Sequence, residues 1–162
     1  MNVPDATSES APVIRQATPD DLPLIIDQRR FMFLDMGYGD PEALDAMAAT
    51  SGPFIKKGLH EGFYRGWIVE LGGRVVAGGG LMIIGHPSSP RDPSPQRAWI
   101  LNMYTEPAYR GRGLARSIVE TITDWCRKKG FAWVSLHASE DGRHLYENLG
   151  FKPTNEMRLE LK

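Results

Sequence analysis

The residues best suited to chemistry are Arg110, Gly111, Arg112, Gly113, Leu114 and Ala115, reached through Pro107, Ala108 and Tyr109. Residues 98–104 before them are largely apolar and read as a buried strand. Residues 114–129 after them carry apolar side chains at helical spacing and read as an amphipathic helix. A strand feeding a helix through such a turn directs unpaired backbone N–H groups outward at a helix N-terminus. Those groups and the helix dipole both favour an anion, phosphate above all. Gly111 and Gly113 let the backbone approach a phosphate with no Cβ between them, and Arg110, Arg112 and Arg116 add cations. Two common phosphate-binding patterns do not fit. A P-loop has Lys and then Ser or Thr after its last glycine, where this chain has Leu114 and Ala115. A dinucleotide-binding turn has a third glycine where this chain has Arg116. What remains is Arg-x-x-Gly-x-Ala.

Downstream lies Leu145-Tyr146-Glu147-Asn148-Leu149-Gly150-Phe151. The two stretches together resemble the GNAT superfamily, the acyl-coenzyme A-dependent N-acyltransferases. The first is similar to the family's pyrophosphate signature, Gln/Arg-x-x-Gly-x-Gly/Ala after Pro-x-Tyr/Phe; the second is similar to its Leu-Tyr-x-x-x-Gly-Phe. The resemblance runs from Ile14 onward and is tightest between Trp99 and Phe151. It implies an α/β fold: a mixed central β-sheet flanked by helices, with a parallel, splayed pair of strands joined by a crossover helix. It also implies acetyl-coenzyme A as acyl donor, and direct attack by a primary amine on a small molecule or peptide.

The resemblance distributes roles over this sequence. Backbone N–H groups of Arg110, Gly111, Arg112, Gly113, Leu114 and Ala115 hold the pyrophosphate; Arg112 is also readable as plain surface charge. Met103, Tyr104 and Thr105 pair through their backbone with the pantetheine arm. The N–H near Met103 faces the thioester carbonyl, and losing such an oxyanion donor typically costs ~10²–10³ in rate. Tyr146 aligns with the family tyrosine that protonates the departing thiolate. A phenol with a pKa of about 10 can do so to a thiolate of about 8.5 only when well placed. Ser139 and Gly142 stand where the family often has Asn and Ala. Ser139 can still hydrogen-bond the pantetheine arm or cap a helix. The acceptor site is walled by the first two helices and the final strand loop, which places Phe31, Asp35 and Tyr38 there. Asp35 or Asp40 can pair with an ammonium, or be an ordinary solvated acid at a helix end.

An alkylamine with a pKa of about 10.4 is neutral in roughly one molecule in 2,500 at about pH 7, so it needs a route for its proton. Neither splayed strand carries an acid. His137 titrates in a useful range, Asn102 can hold a water, and Glu106 is near the turn in sequence. A water relay is favoured over His137, since a lone histidine at a strand end is commonly structural.

The remaining elements must position these residues. Residues 1–12 read as a mobile tail and 13–162 as one acetyltransferase-like domain. Residues 13–17 form a first strand. Thr18, Pro19, Asp20 and Asp21 start a helix, whose buried face holds Leu22, Ile25, Ile26, Arg29, Phe33 and Met36. A second helical stretch from Glu42 to about Leu59 is interrupted at Ser51, Gly52 and Pro53. Strands 66–71 and 75–84 meet at a Gly72-Gly73 hairpin. Gly78, Gly79 and Gly80 fall inside an apolar strand, so they mark a bulge or close helix packing rather than a phosphate loop. Residues 86–96, with four prolines, form a loop. Residues 131–137 form a strand, Ser139 caps a short helix ending at Gly150, and residues 151–161 supply one or two closing strands.

A length of 162 residues and a net charge of −1 give no basic excess for nucleic acid. One cysteine, Cys126, excludes an internal disulfide; no Cys/His spacing suits a metal. Neither a signal peptide nor a membrane span is visible, which places the protein in the cytoplasm, as a monomer or homodimer. Two other functions fit parts of this pattern: a noncatalytic acyl-coenzyme A sensor on the same fold, and a module binding another nucleotide phosphate.

Overall fold

The computed structural model describes residues 11–161. The expectation of a mobile tail over residues 1–12 falls, except for residues 11 and 12, outside them. Strand β1 (Val13–Gln16) is followed by a 3₁₀ turn (Pro19–Asp21) and helix α1 (Leu22–Asp35). The Thr18 N–H donates to the Asp21 carboxylate at 2.8 Å, and Arg15 grips the same carboxylate from β1. This ties the start of α1 to the edge of the sheet. Helix α1 buries Ile25 and, unforeseen, Gln28, while Met36 is exposed because the helix ends at Asp35.

Helix α2 (Pro41–Glu61) runs unbroken through Pro53, against the expected interruption at residues 51–53. Proline removes one donor and disfavours the turn before it, but Leu44 on one side and Ile55 and Gly58 on the other are buried. That shared face keeps both halves on one axis. Asp40 caps the helix by accepting from the Glu42 N–H at 3.1 Å.

Strands β2 (Tyr64–Leu71) and β3 (Arg74–Gly85) form the hairpin at Gly72 and Gly73, both at positive φ. Strand β4 (Gln96–Thr105) pairs antiparallel with β3, and helix α3 (Leu114–Lys128) crosses to β5 (Val134–Leu136), parallel to β4. The sheet order is β1-β2-β3-β4-β5. A core of Val76, Ala77, Leu81, Ala98 and Ile100 meets Leu114, Ile118, Val119, Ile122 and Cys126 of α3. A second core of Ile25, Ile55 and Tyr64, flanked by Leu101, lies against α1 and α2. Helix α4 (Glu140–Asn148) is capped by Ser139, whose hydroxyl accepts from the Gly142 N–H.

The last part of the chain departs from expectation. Strand β5 spans three residues rather than seven, and residues 151–161 form no strand. Phe151 packs against Tyr146 with ring centroids 5.8 Å apart. Beyond it Pro153 has no N–H to pair, and residues 152–161 are exposed, with Met157, Leu159 and Leu161 at 95%, 80% and 86%. The alternation of apolar and polar residues is strand-like, but alternation makes a strand only where another strand is there to pair with it.

The feature that shapes the site is a β-bulge. Gly80 pairs with Leu101 and Gly78 with Tyr104, so Asn102 and Met103 together oppose Gly79. Asn102 takes φ 56°, the one non-glycine at positive φ among the described residues. Ala98 and Ile100 face α3 before the bulge; after it Met103 faces α3, while Leu101, Asn102 and Tyr104 meet the α1 side. The glycine run makes room for this. A Cβ on Gly79 would lie 2.5 Å from the Met103 sulfur and 2.8 Å from Ile118. The expected bulge and close helix packing at residues 78–80 are both present.

Candidate active site

Pro107–Tyr109 forms a single 3₁₀ turn, after which Gly111 and Gly113 take φ 73° and 78° and α3 begins. No side chain caps α3. Among the described residues, the N–H groups of Gly111, Gly113, Leu114, Ala115 and Arg116 make no hydrogen bond. A Cβ at either glycine would meet nothing within 4 Å, so the face of the turn is open. Unpaired donors, a helix N-terminus and an open glycine surface fit a pyrophosphate.

The arginines divide. Arg110 donates to the Thr105 carbonyl at 3.0 Å and forms an ion pair with Asp35 at the end of α1. Arg112 lies over the Tyr109 ring at 5.2 Å, and Arg116 pairs with Glu120 at 3.6 Å. Asp35 therefore faces the phosphate turn. Asp40 is spent on capping α2. Phe31 packs on Tyr104 at 5.9 Å, and Tyr38, 60% exposed, meets Phe33 edge-on. Burial, with the Asp35 charge, raises the Tyr104 pKa above its usual value.

Strand β4 pairs with β5 only from Ala98 to Ile100. From Leu101 to Thr105 no described strand pairs with its β5-facing edge, and this is the backbone of Met103, Tyr104 and Thr105. Met103 and Tyr146 both pack against the α3-side core. Burial raises the Tyr146 pKa, so its phenol is protonated near neutral pH, and its hydroxyl makes no hydrogen bond among the described residues. Gly142 leaves the ring its place: a Cβ there would lie 3.2 Å from Tyr146 and 3.1 Å from the Ser139 hydroxyl.

His137 stacks edge-on against Trp99 at 4.7 Å, and its Nε2 meets Glu156 at 2.9 Å. Glu106 pairs with Arg74 at 2.8 Å. Asn102 is buried: its amide donates to the Tyr64 hydroxyl at 2.9 Å, and its oxygen accepts from Arg29. Burial raises the Tyr64 pKa to about 12. Asn102, expected to hold a water, thus has two protein partners as well. Gln28 and Tyr64 carry no local signal in the sequence, and Arg29 reads only as part of an apolar stripe. An arginine in such a stripe was the available signal. Cys126 is a buried core thiol whose pKa burial raises to about 11. No metal-holding cluster occurs among the described residues, and none of their helices is long and apolar enough to cross a membrane.

Comparison with known proteins agrees with this geometry. A GCN5-related N-acetyltransferase of Ralstonia eutropha JMP134 superposes with a TM-score of 0.87 at 35% identity, over 93% of this chain and 99% of that one. A predicted acetyltransferase of Clostridium acetobutylicum, solved with acetyl-CoA, gives 0.84 at 26% identity over 94% and 96%. The uncharacterized N-acetyltransferase YjgM of Escherichia coli (strain K12) is 29% identical over 153 residues, 88% of this chain and 83% of that protein. The model of the acetyltransferase (GNAT) family matches residues 29–151, from the arginine beside the bulge to the phenylalanine beside Tyr146. With its open glycine turn, its parallel β4–β5 pair and its half-buried Tyr146, the chain belongs to the GNAT family of acetyltransferases.

Proposed function

We propose that the protein, through a single domain over residues 13–162, moves an acetyl group from acetyl-coenzyme A to a primary amine by direct attack. The observation that carries this reading is that, among the described residues, the N–H groups of Gly111, Gly113, Leu114, Ala115 and Arg116 are unpaired, beside an edge of β4 that no described strand pairs. The turn suits a pyrophosphate, and the edge suits an extended amide-bearing arm that hydrogen-bonds like a strand. When bound, acetyl-coenzyme A supplies an activated thioester. The Met103 N–H, on the bulge, donates to the acyl oxygen as negative charge develops there. The Tyr146 phenol donates its proton to the sulfur as it leaves. Ser139 and Gly142 set the start of α4 and so the position of that ring. The amine proton leaves through water; His137, whose Nε2 meets Glu156, keeps its other ring nitrogen and is the second candidate for the base. Phe31 and Tyr38, on and just beyond α1, border the acceptor.

The test is incubation with acetyl-coenzyme A and a panel of amines while free thiol is followed. Thiol release that depends on the amine is expected. Coenzyme A binding without turnover on any amine would assign the chain to an acyl-coenzyme A sensor instead, and no binding would remove both readings.

A further inference from the structure

Arg29 is placed as few arginines are. It lies inside α1, half-buried, with its guanidinium over the Phe33 ring at 4.9 Å. Among the described residues, its side chain makes one hydrogen bond, from Nη1 to the neutral oxygen of Asn102. Nε is buried and unpartnered, and Nη2 makes no hydrogen bond among the described residues. Among those residues no carboxylate lies within ion-pair distance of it. The ionisable group that acts on it is the Tyr64 phenol, neutral near pH 7. The next residue makes the contrast: Arg30 reaches Asp45 at 2.6 Å on the surface. Taking a guanidinium out of water with no counter-charge is costly, and the desolvation lowers the Arg29 pKa. A structural arginine in this place would be expected to have a carboxylate.

Its position is equally specific. Asn102 is the positive-φ residue of the bulge, and the next N–H along the chain is that of Met103. The bulge turns Asn102 toward α1 and Met103 toward α3, so Arg29 stands beside the reacting centre on the face opposite Ile118. Farther along α1, Phe31 and Asp35 follow the strand to Tyr104 and the turn to Arg110.

We propose that Arg29 binds an anionic group of the acceptor, so that the acceptor is an amine that also carries a carboxylate or a phosphate close to its nitrogen. The proposal rests on the acetyltransferase reading above and names the acceptor class of that same site. The guanidinium fork accepts a planar carboxylate or a phosphate through two donors. Asn102 orients Nη1, the Phe33 face steadies the plane, and the anion supplies the missing counter-charge.

The test uses matched pairs of amines on the full chain: amino acids against their decarboxylated amines, and amino-sugar phosphates against the free amino sugars. Binding to the coenzyme A-saturated protein is measured by calorimetry, and turnover by thiol release. In the wild type the anionic member of a pair should bind about tenfold or more tighter than its neutral partner, the size of a lost charge-assisted contact. The pair that shows this separates carboxylate from phosphate. Arg29→Met should erase the preference through KM while coenzyme A affinity stays unchanged; Arg29→Lys, which keeps the charge and loses the fork, should keep part of it and covers the case of a poorly folded Met variant. Neutral amines binding as well as anionic ones, no anionic member binding at all, or both variants weakening both members equally would overturn the proposal. The binding measurement stands whether or not any amine is acetylated, so failure of the enzyme reading is seen separately in the thiol assay.

Discussion

The Asp35 carboxylate at the end of α1 and the Arg110 guanidinium in the turn before α3 form an ion pair. It joins the end of α1 to the turn before α3. Both side chains are nearly half exposed, at 42% and 48%, so the pair contributes little to stability, of order 0–1 kcal/mol. It does hold Arg110 away from any other anion. Asp35→Asn should therefore tighten coenzyme A binding by up to about fivefold, and Arg110→Ala should weaken it about tenfold. Calorimetry on the two variants checks both signs; an Asp35→Asn protein that binds more weakly than wild type would mean that Asp35 orients Arg110 rather than competing for it.

Tyr146→Phe keeps the ring that packs against Phe151 and removes only the hydroxyl. With the phenol as proton donor, kcat should fall by ~10²–10⁴ while coenzyme A affinity is nearly kept. Turnover above about half of wild type would leave Tyr146 a packing residue alone, given the size expected of such catalysis.

Gly79→Ala should destabilise the fold by about 1–3 kcal/mol, because its Cβ would press on Met103 and Ile118 in a filled core. Gly85→Ala, with nothing within 4 Å, should lie within about ±0.5 kcal/mol. Urea unfolding of the pair measures the difference, and equal midpoints would show that the core yields around the added methyl.

Asp21 predicts an acid limb to stability. The Arg15 guanidinium and the Thr18 N–H hold its carboxyl at about 2, against an ordinary 3.8. A depressed folded-state pKa gives stability that is fully present above the unfolded value and is lost as pH falls through the folded one. Asp21→Asn should cost about 1.5–3 kcal/mol at pH 7, a charged hydrogen bond's worth. The two unfolding curves should converge as pH drops from about 4 to about 2. A gap that persists at pH 2 would assign the loss to packing.

What could be read from the sequence was what depends on near neighbours. The turn at residues 110–115 and the face of α3 follow from residue types a few positions apart, and both stand as expected. Ser139 at the α4 cap is equally local. Pro53 misled because a local penalty was weighed without Leu44 and Ile55, whose burial spans it. The bulge was anticipated from Gly78, Gly79 and Gly80, but its extra residue lies on β4, and only the pairing register shows that Asn102 is turned to α1. Residues 155–161 carry strand alternation, yet whether a strand forms depends on a neighbour that alternation does not name. Arg29 is visible as a charge in an apolar stripe; that no carboxylate among the described residues pairs with it is a fact of three dimensions.

The glycines of β3 carry one more consequence. Three successive residues without side chains should leave a strand free to slide, since nothing distinguishes one alignment from the next. Here each sits under a protrusion from a different element: Gln28 of α1 over Gly78, Met103 and Ile118 over Gly79, and the Tyr64 ring over Gly80. A slip of one position in either direction would bring Ala77 or Leu81 beneath one of them. The information that a side chain would ordinarily supply is thus held by its neighbours, like the wards that fit the blank part of a key. The alignment that places Asn102 and Met103 opposite Gly79 is enforced by what the strand lacks.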